Sequence, residues 1–96
     1  MIKDTSNEAE VKKAERDFED REKDLLWILS SPRGRRWLHT LIFETCHADR
    51  QSLVFGDNQT TAFNEGGRAV GLALKEEIRA RAFDKFLMML KENQDD

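Results

Sequence analysis

The sequence predicts an all-α protein, a small bundle of three to four helices led by a long charged helix, and three observations predict it. Apolar residues recur at spacings of three, four and seven along most of the chain. No segment alternates apolar and polar residues with β-branched side chains, the pattern of a half-buried strand. The one proline, Pro32, directly follows a serine, where it starts a helix instead of interrupting one.

The first helix is expected from about Asn7 to Ser30. Val11, Ala14, Phe18, Leu25 and Leu29 mark its apolar stripe, which is broken near Arg21 and Glu22. Up to Asp24 the chain carries six cations against nine anions, a net of −3. Many of these charges are helically spaced, as with Glu19 and Lys23. A narrow, interrupted stripe buries little surface, so residues 1–24 are expected to form a partly exposed arm. Leu25-Leu26-Trp27-Ile28-Leu29 is apolar on every side and reads as the buried end. Residues 25–92 then form the helical core domain, and residues 93–96 a polar tail.

Ser31 and Pro32 supply an N-cap and a first helical residue with preset φ. The second helix should run from Pro32 to about His47, with Trp37, Leu38, Leu41, Ile42 and Thr45 or Cys46 on its core face. Gly34 in its first turn lowers helix stability by up to about 1 kcal/mol relative to alanine, and such a residue permits close approach of another backbone. Ala48 to Asn58 reads as a loop in which Leu53, Val54 and Phe55 fold back onto the core before a turn at Gly56-Asp57-Asn58. Asn58 or Thr60 is expected to cap a third helix from about Gln59 to Arg79. Its buried face reads Phe63, Gly67, Val70, Gly71, Leu74 and Ile78. Gly67 and Gly71 form a smooth strip suited to a tight helix crossing, so the expected helix-packing positions are Gly34, Trp37, Gly67 and Gly71. Phe83, Phe86, Leu87 and Leu90 mark a short closing helix, separate from the third or continuous with it.

Composition narrows the function classes. Ninety-six residues make one domain, with a core near the size at which oligomerisation or a partner often assists folding. The net charge of −3 argues against wholesale nucleic-acid binding, although it leaves room for a local basic patch. No apolar run approaches the roughly 20 residues that span a bilayer, so no membrane partner is expected. The first residues lack the apolar stretch of a signal peptide, and Cys46 has no second cysteine to pair with. The expectation is a soluble protein of a reducing compartment.

Catalytic chemistry finds little purchase. Cys46 and His47 are adjacent, and neighbours on a helix diverge by about 100°, so the imidazole points away from the thiol. His39 shares the face of Cys46, but no third group or oxyanion site accompanies them. Two histidines and one cysteine lack the recurrent zinc spacings. The run Gly66 to Gly71 contains a G-x-x-x-G spacing without the preceding strand or the Gly-Lys-Ser/Thr ending of a phosphate loop. No catalytic residue, cofactor or metal site is therefore expected.

Arg33, Arg35 and Arg36 are the exception to this bland reading. Three cations in the first turn of a helix oppose its macrodipole, by a few tenths of a kcal/mol each. Two compensations are open: Asp20, Glu22 and Asp24 within the chain, or an acidic partner or nucleic-acid phosphate outside it. With the exposed Val11 and Phe18 of the arm, these arginines form the expected partner-binding set. Arg68, beside the glycine strip, is expected to reach a carboxylate such as Glu44.

One resemblance runs through the same residues. Ser31-Pro-Arg-Gly-Arg-Arg-Trp-Leu-His-Thr-Leu-Ile, then Cys46, then Ser52 to Phe55, then Thr61-Ala-Phe-Asn-Glu-Gly-Gly-Arg-Ala-Val-Gly-Leu-Ala-Leu, resembles the Bbp19-like family of small bacteriophage proteins. The similarity covers about Ser31 to Ile78, weakens through Leu90 and omits residues 1–24. The chain departs at Ala69, where the pattern has asparagine, and at His47, where glycine follows the cysteine. The resemblance implies a helical protein encoded among phage structural and assembly genes, without assigned enzymatic activity. It carries over no catalytic residues. The expected function is that of a non-catalytic virion-associated or assembly protein, present in the virion and in host cytoplasm during assembly. Expected partners are other phage structural proteins and further copies of the chain. The alternatives are a nucleic-acid binder using the Arg33–Arg36 corner and an inhibitor of a host protein.

Overall fold

The computed structural model describes residues 5–94; the first four residues of the expected arm and the last two of the expected tail lie outside it. The described residues form four α-helices and no strand: α1 (Thr5–Leu29), α2 (Pro32–His39), α3 (Asn58–Arg81) and α4 (Phe83–Glu92). A π-helical turn, Thr40–Thr45, continues α2. The protein is all-α, as the periodicity predicts.

The helix boundaries follow local chemistry. Ser31, in extended conformation, accepts a hydrogen bond from the Gly34 N–H at 3.1 Å, and Pro32 follows as the first helical residue. The second helix was expected to continue as one α-helix to His47, but it widens at Thr40. There the Cys46 N–H donates to the Leu41 carbonyl five residues back, at 2.9 Å. His47 then adopts φ 51°, the left-handed conformation that ends many helices and suits glycine best. At this position, where the resemblance implies glycine, the chain places His47 in a backbone conformation that glycine would serve. Its Cβ makes that conformation costlier, by roughly 1–2 kcal/mol.

Asp57, not Asn58 or Thr60, caps α3. Its carboxylate accepts from the Thr60 N–H at 2.9 Å and from the Thr60 hydroxyl at 2.6 Å, which holds its pKa below the ordinary carboxylate value. Thr61 ties the preceding loop down, its hydroxyl accepting from the Val54 N–H at 2.9 Å. At Ala82 the backbone leaves helical geometry (φ −147°, ψ 60°), so α4 is a separate helix.

The core is small: Leu29, Leu38, Ile42, Ala48, Ile78, Ala82, Phe86 and Met89. On α2 and the π turn, Arg35, Leu38 and Ile42 face inward, at spacings of three and four. Leu38 and Ile42 lie inside as expected, whereas Arg35 joins them and Trp37 is 61% exposed where packing was expected. The cause is Gly34. A Cβ there would overlap the carbonyl oxygen of Ile28, so α2 sits directly against the end of α1 along its glycine edge. Gly71 serves similarly in α3, where an added Cβ would lie 2.8 Å from the Cβ of Cys46 and 3.0 Å from that of Ala48. Gly67 is only in ordinary contact, 3.8 Å from the Cys46 carbonyl oxygen, so the tight crossing rests on Gly71 alone.

Other apolar residues expected inside are outside. Phe63 and Val70 of α3 and Leu53, Val54 and Phe55 of the loop are all exposed, and Phe83 and Leu87 of α4 join them. At the end of α1 only Leu29 is fully buried, and Trp27 is 78% exposed. The molecule measures 58 × 38 × 16 Å, with a radius of gyration of 17.8 Å. A compact chain of this length would have about 12.5 Å. A flat, extended fold lacks the depth to enclose so many apolar side chains.

Candidate interaction surface

Arg35 explains how three arginines are tolerated at one helix start. It is 4% exposed, and its guanidinium meets Glu92 at the end of α4, with Nε donating to Oε1 at 2.8 Å and the terminal nitrogen 2.7 Å from the same oxygen. The other terminal nitrogen donates to the Leu29 carbonyl at 2.8 Å. That carbonyl belongs to the last turn of α1, where the helix dipole is negative and favours a cation. The charge that opposes the dipole of α2 thus satisfies the end of α1 and a carboxylate of α4. Neither compensation expected from the sequence applies to it, and burial removes Arg35 from the partner-binding set. Arg33 and Arg36 remain exposed and have no ion-pair partner among the described residues.

The charged arm is fastened by a second cluster. Between Asn7 and Arg21, every side chain except Glu8 is exposed. Yet Arg21 makes a paired contact with Glu77 of α3, at 2.5 and 2.7 Å. Arg81 joins it, 3.3 Å from Glu77, while lying 4.0 Å from the ring centre of Phe18 and donating to the Phe18 carbonyl at 3.3 Å. The hydrogen bond from Arg21 is the main cause that holds the Glu77 carboxyl below its ordinary value of 4.5, and Glu77 in turn raises the Arg21 guanidinium. Phe18 is therefore exposed but already half engaged. Val11 is 56% exposed and stands beyond this fastening.

Between α1 and α2 runs an open groove of about 410 Å³, floored by Leu25, Ile28, Leu41 and Leu74. Asp17, Asp20 and Asp24 line its α1 side, with Arg21 among them engaged by Glu77, and Trp37 lines its α2 side. The three aspartates, spaced three and four apart on one helix face, have no hydrogen-bond or ion-pair partner among the described residues. Ile28 and Trp37 are shared with a neighbouring hollow that Trp27 and Arg33 also line. One face thus presents an acidic row, an apolar trough, two tryptophans and the unpaired Arg33, with exposed Arg36 one turn further along α2. The sequence missed this arrangement because Trp27 and Trp37 both read as buried, and Asp20 and Asp24 read as possible partners of the arginines within the chain.

The remaining candidates fall elsewhere. His39 stacks obliquely on Phe43, with ring centres 4.6 Å apart, while His47 is exposed at the loop start. Arg68 pairs with Glu65 at 3.3 Å, not with Glu44. Glu65 also accepts from the Ser52 hydroxyl at 2.5 Å, the largest cause of its lowered pKa. Among the described residues, no group of three or more His, Cys, Asp or Glu side chains could hold a metal ion, and no helix is long and apolar enough to cross a membrane.

No curated protein and no solved structure matches the chain. A family model, Bbp19-like phage protein, matches residues 25–91. That span begins at Leu25, takes in the groove floor, the two tryptophans, Arg35 and Gly71, and omits the acidic row. Since it covers well over half of the sequence, the chain belongs to the Bbp19-like phage proteins.

Proposed function

We propose that the protein is a virion-associated or assembly component of a tailed phage, working through helix-mediated contacts with other phage proteins and without catalysis. One observation carries this reading: the flat fold leaves a continuous apolar and aromatic face uncovered, with Trp27 78% and Trp37 61% exposed. Exposed apolar patches of this kind, rimmed by charge, mark contact surfaces, and tryptophan and arginine dominate the energetics of such surfaces. The arm adds a second contact element, presenting Val11 and mixed charge beyond the Arg21–Glu77 fastening.

Mass spectrometry of purified particles, combined with crosslinking, tests the proposal. The expected result is the chain in stable stoichiometry, crosslinked through α1 or the α1–α2 face to a particle protein. Absence from particles and from assembly intermediates would overturn it.

A nucleic-acid contact is the second reading, favoured by Arg33 and Arg36, two unpaired cations at the start of α2. DNA affinity measured against salt discriminates. A steep loss with salt that flattens in Arg33→Ala/Arg36→Ala would support phosphate binding, and a shallow dependence shared by both proteins would exclude it.

A further inference from the structure

We propose that the uncovered α1–α2 face is the two-fold interface of a homodimer. Trp37 of each copy seats in the groove of the other, and Arg33 and Arg36 meet the other copy's Asp17, Asp20 and Asp24. The inference rests on the contact reading above and names the occupant of that face as a second copy of this chain.

Charge complementarity argues for that occupant. The groove is bordered by an acidic row on one side, while Arg33 shares the adjoining hollow with Trp37 on the other. Neither set of charges finds a partner within the chain among the described residues. A two-fold axis through the trough exchanges the two sides, so that each acidic row faces the partner copy's arginine corner. An isologous interface requires this property, since the same patch must complement itself. A surface of uniform sign would repel its own copy. The apolar centre is supplied by Trp37, 61% exposed while lining the trough, together with Leu25, Ile28 and Leu41. An aromatic centre with a charged rim is the usual anatomy of a specific interface. The flat fold supplies a further motive, because pairing two such faces gives the depth that one copy lacks.

The test is sedimentation equilibrium on the full chain and two charge-swapped variants, Arg33→Glu/Arg36→Glu and Asp20→Lys/Asp24→Lys. Wild type is expected to dimerise reversibly. Each variant should weaken self-association by about 100-fold, because symmetry places every substitution in the interface twice and like charges then face each other. An equimolar mixture of the variants should recover the dimer mass, since the acidic corner of one then meets the basic row of the other. The variants should keep the helical circular dichroism of wild type, and recovery on mixing proves both folded.

A wild type that stays monomeric up to about 1 mM overturns the proposal. So does a dimer insensitive to both swaps, or variants that fail to recover on mixing. The two levels separate cleanly. A monomer found crosslinked to another particle protein would defeat the dimer and leave the contact function standing, whereas a swap-sensitive dimer absent from particles would do the reverse.

Discussion

Arg35 shows how one side chain links elements that the chain separates widely. Its guanidinium satisfies Glu92, 57 positions away, and the terminal carbonyl of α1, six positions back. A buried cation is tolerable only with such partners, because desolvation otherwise exceeds any gain. Arg35→Ala should therefore destabilise by about 2–4 kcal/mol, below the full cost of breaking a buried pair because Glu92 keeps some solvent. Chemical denaturation measures this, and Arg35→Lys should recover only part of the loss, since an ammonium lacks the planar fork that spans both partners. Arg33→Ala, removing an exposed and unpaired charge, should change stability by no more than about 0.5 kcal/mol.

The glycines of α3 separate packing from propensity at the scale of a helix. Gly66 and Gly71 share the same helix interior, but a Cβ at Gly66 meets nothing within 4 Å, while one at Gly71 meets Cys46, Ala48 and the Ile42 carbonyl at 2.8–3.1 Å. Gly66→Ala should stabilise by up to about 1 kcal/mol through helix propensity. Gly71→Ala should destabilise by about 1–3 kcal/mol, because overpacking against the π turn outweighs the same propensity gain. Thermal or denaturant midpoints of the two variants would move in opposite directions.

The fastening of α1 predicts a pH dependence. Glu77 has a folded pKa below its ordinary 4.5, so its charged form is favoured by the folded state. Its contribution is present above that value and is lost as pH falls through the depressed folded pKa. Hydrogen exchange should show the middle of α1 opening on acidification through and below the ordinary carboxylate range, ahead of α2 and α4. Glu77→Gln should open the same amides at neutral pH. An arm that opens uniformly with the core would contradict this.

Across the whole molecule, stability and surface are divided between two parts. The buried residues span Leu29 to Met89, while nearly all side chains from Asn7 to Arg21 are in solvent. Val11→Ala, on the exposed arm, should consequently change the unfolding free energy by no more than about 0.5 kcal/mol, read from chemical denaturation. Core truncation behaves oppositely: Met89→Ala, at a fully buried site, should lose about 2–5 kcal/mol. In a core this small that is a large share of the total.

Much of the architecture was legible without coordinates, because it is encoded within a few residues. The periods of three and four gave the helices, Ser31-Pro32 gave the start of α2, and Gly56 to Asn58 gave the turn before α3. The placement of Gly34 against another backbone was also readable, since a costly residue in a first turn needs such a reason. The cap at Asp57 was missed by one position because three adjacent polar residues compete for it. The widening at Thr40 left no local signature.

The sequence by itself determined the helical class, the charged arm and the family blocks. Periodicity also placed Leu29, Leu38, Ile42, Gly71 and Ile78 inside, whereas tertiary structure alone decided which of the remaining apolar residues stay outside, and hence the candidate surface. Leu25 to Leu29 is apolar all round, and Trp37 borders the apolar face of α2, so periodicity does not choose which of these large side chains is left outside. The choice falls to contacts between distant parts of the chain: Gly34 beneath Ile28, Arg35 with Glu92, and Arg21 with Glu77. Those contacts turn Leu38 and Ile42 inward and leave Trp27 and Trp37 on the outer face.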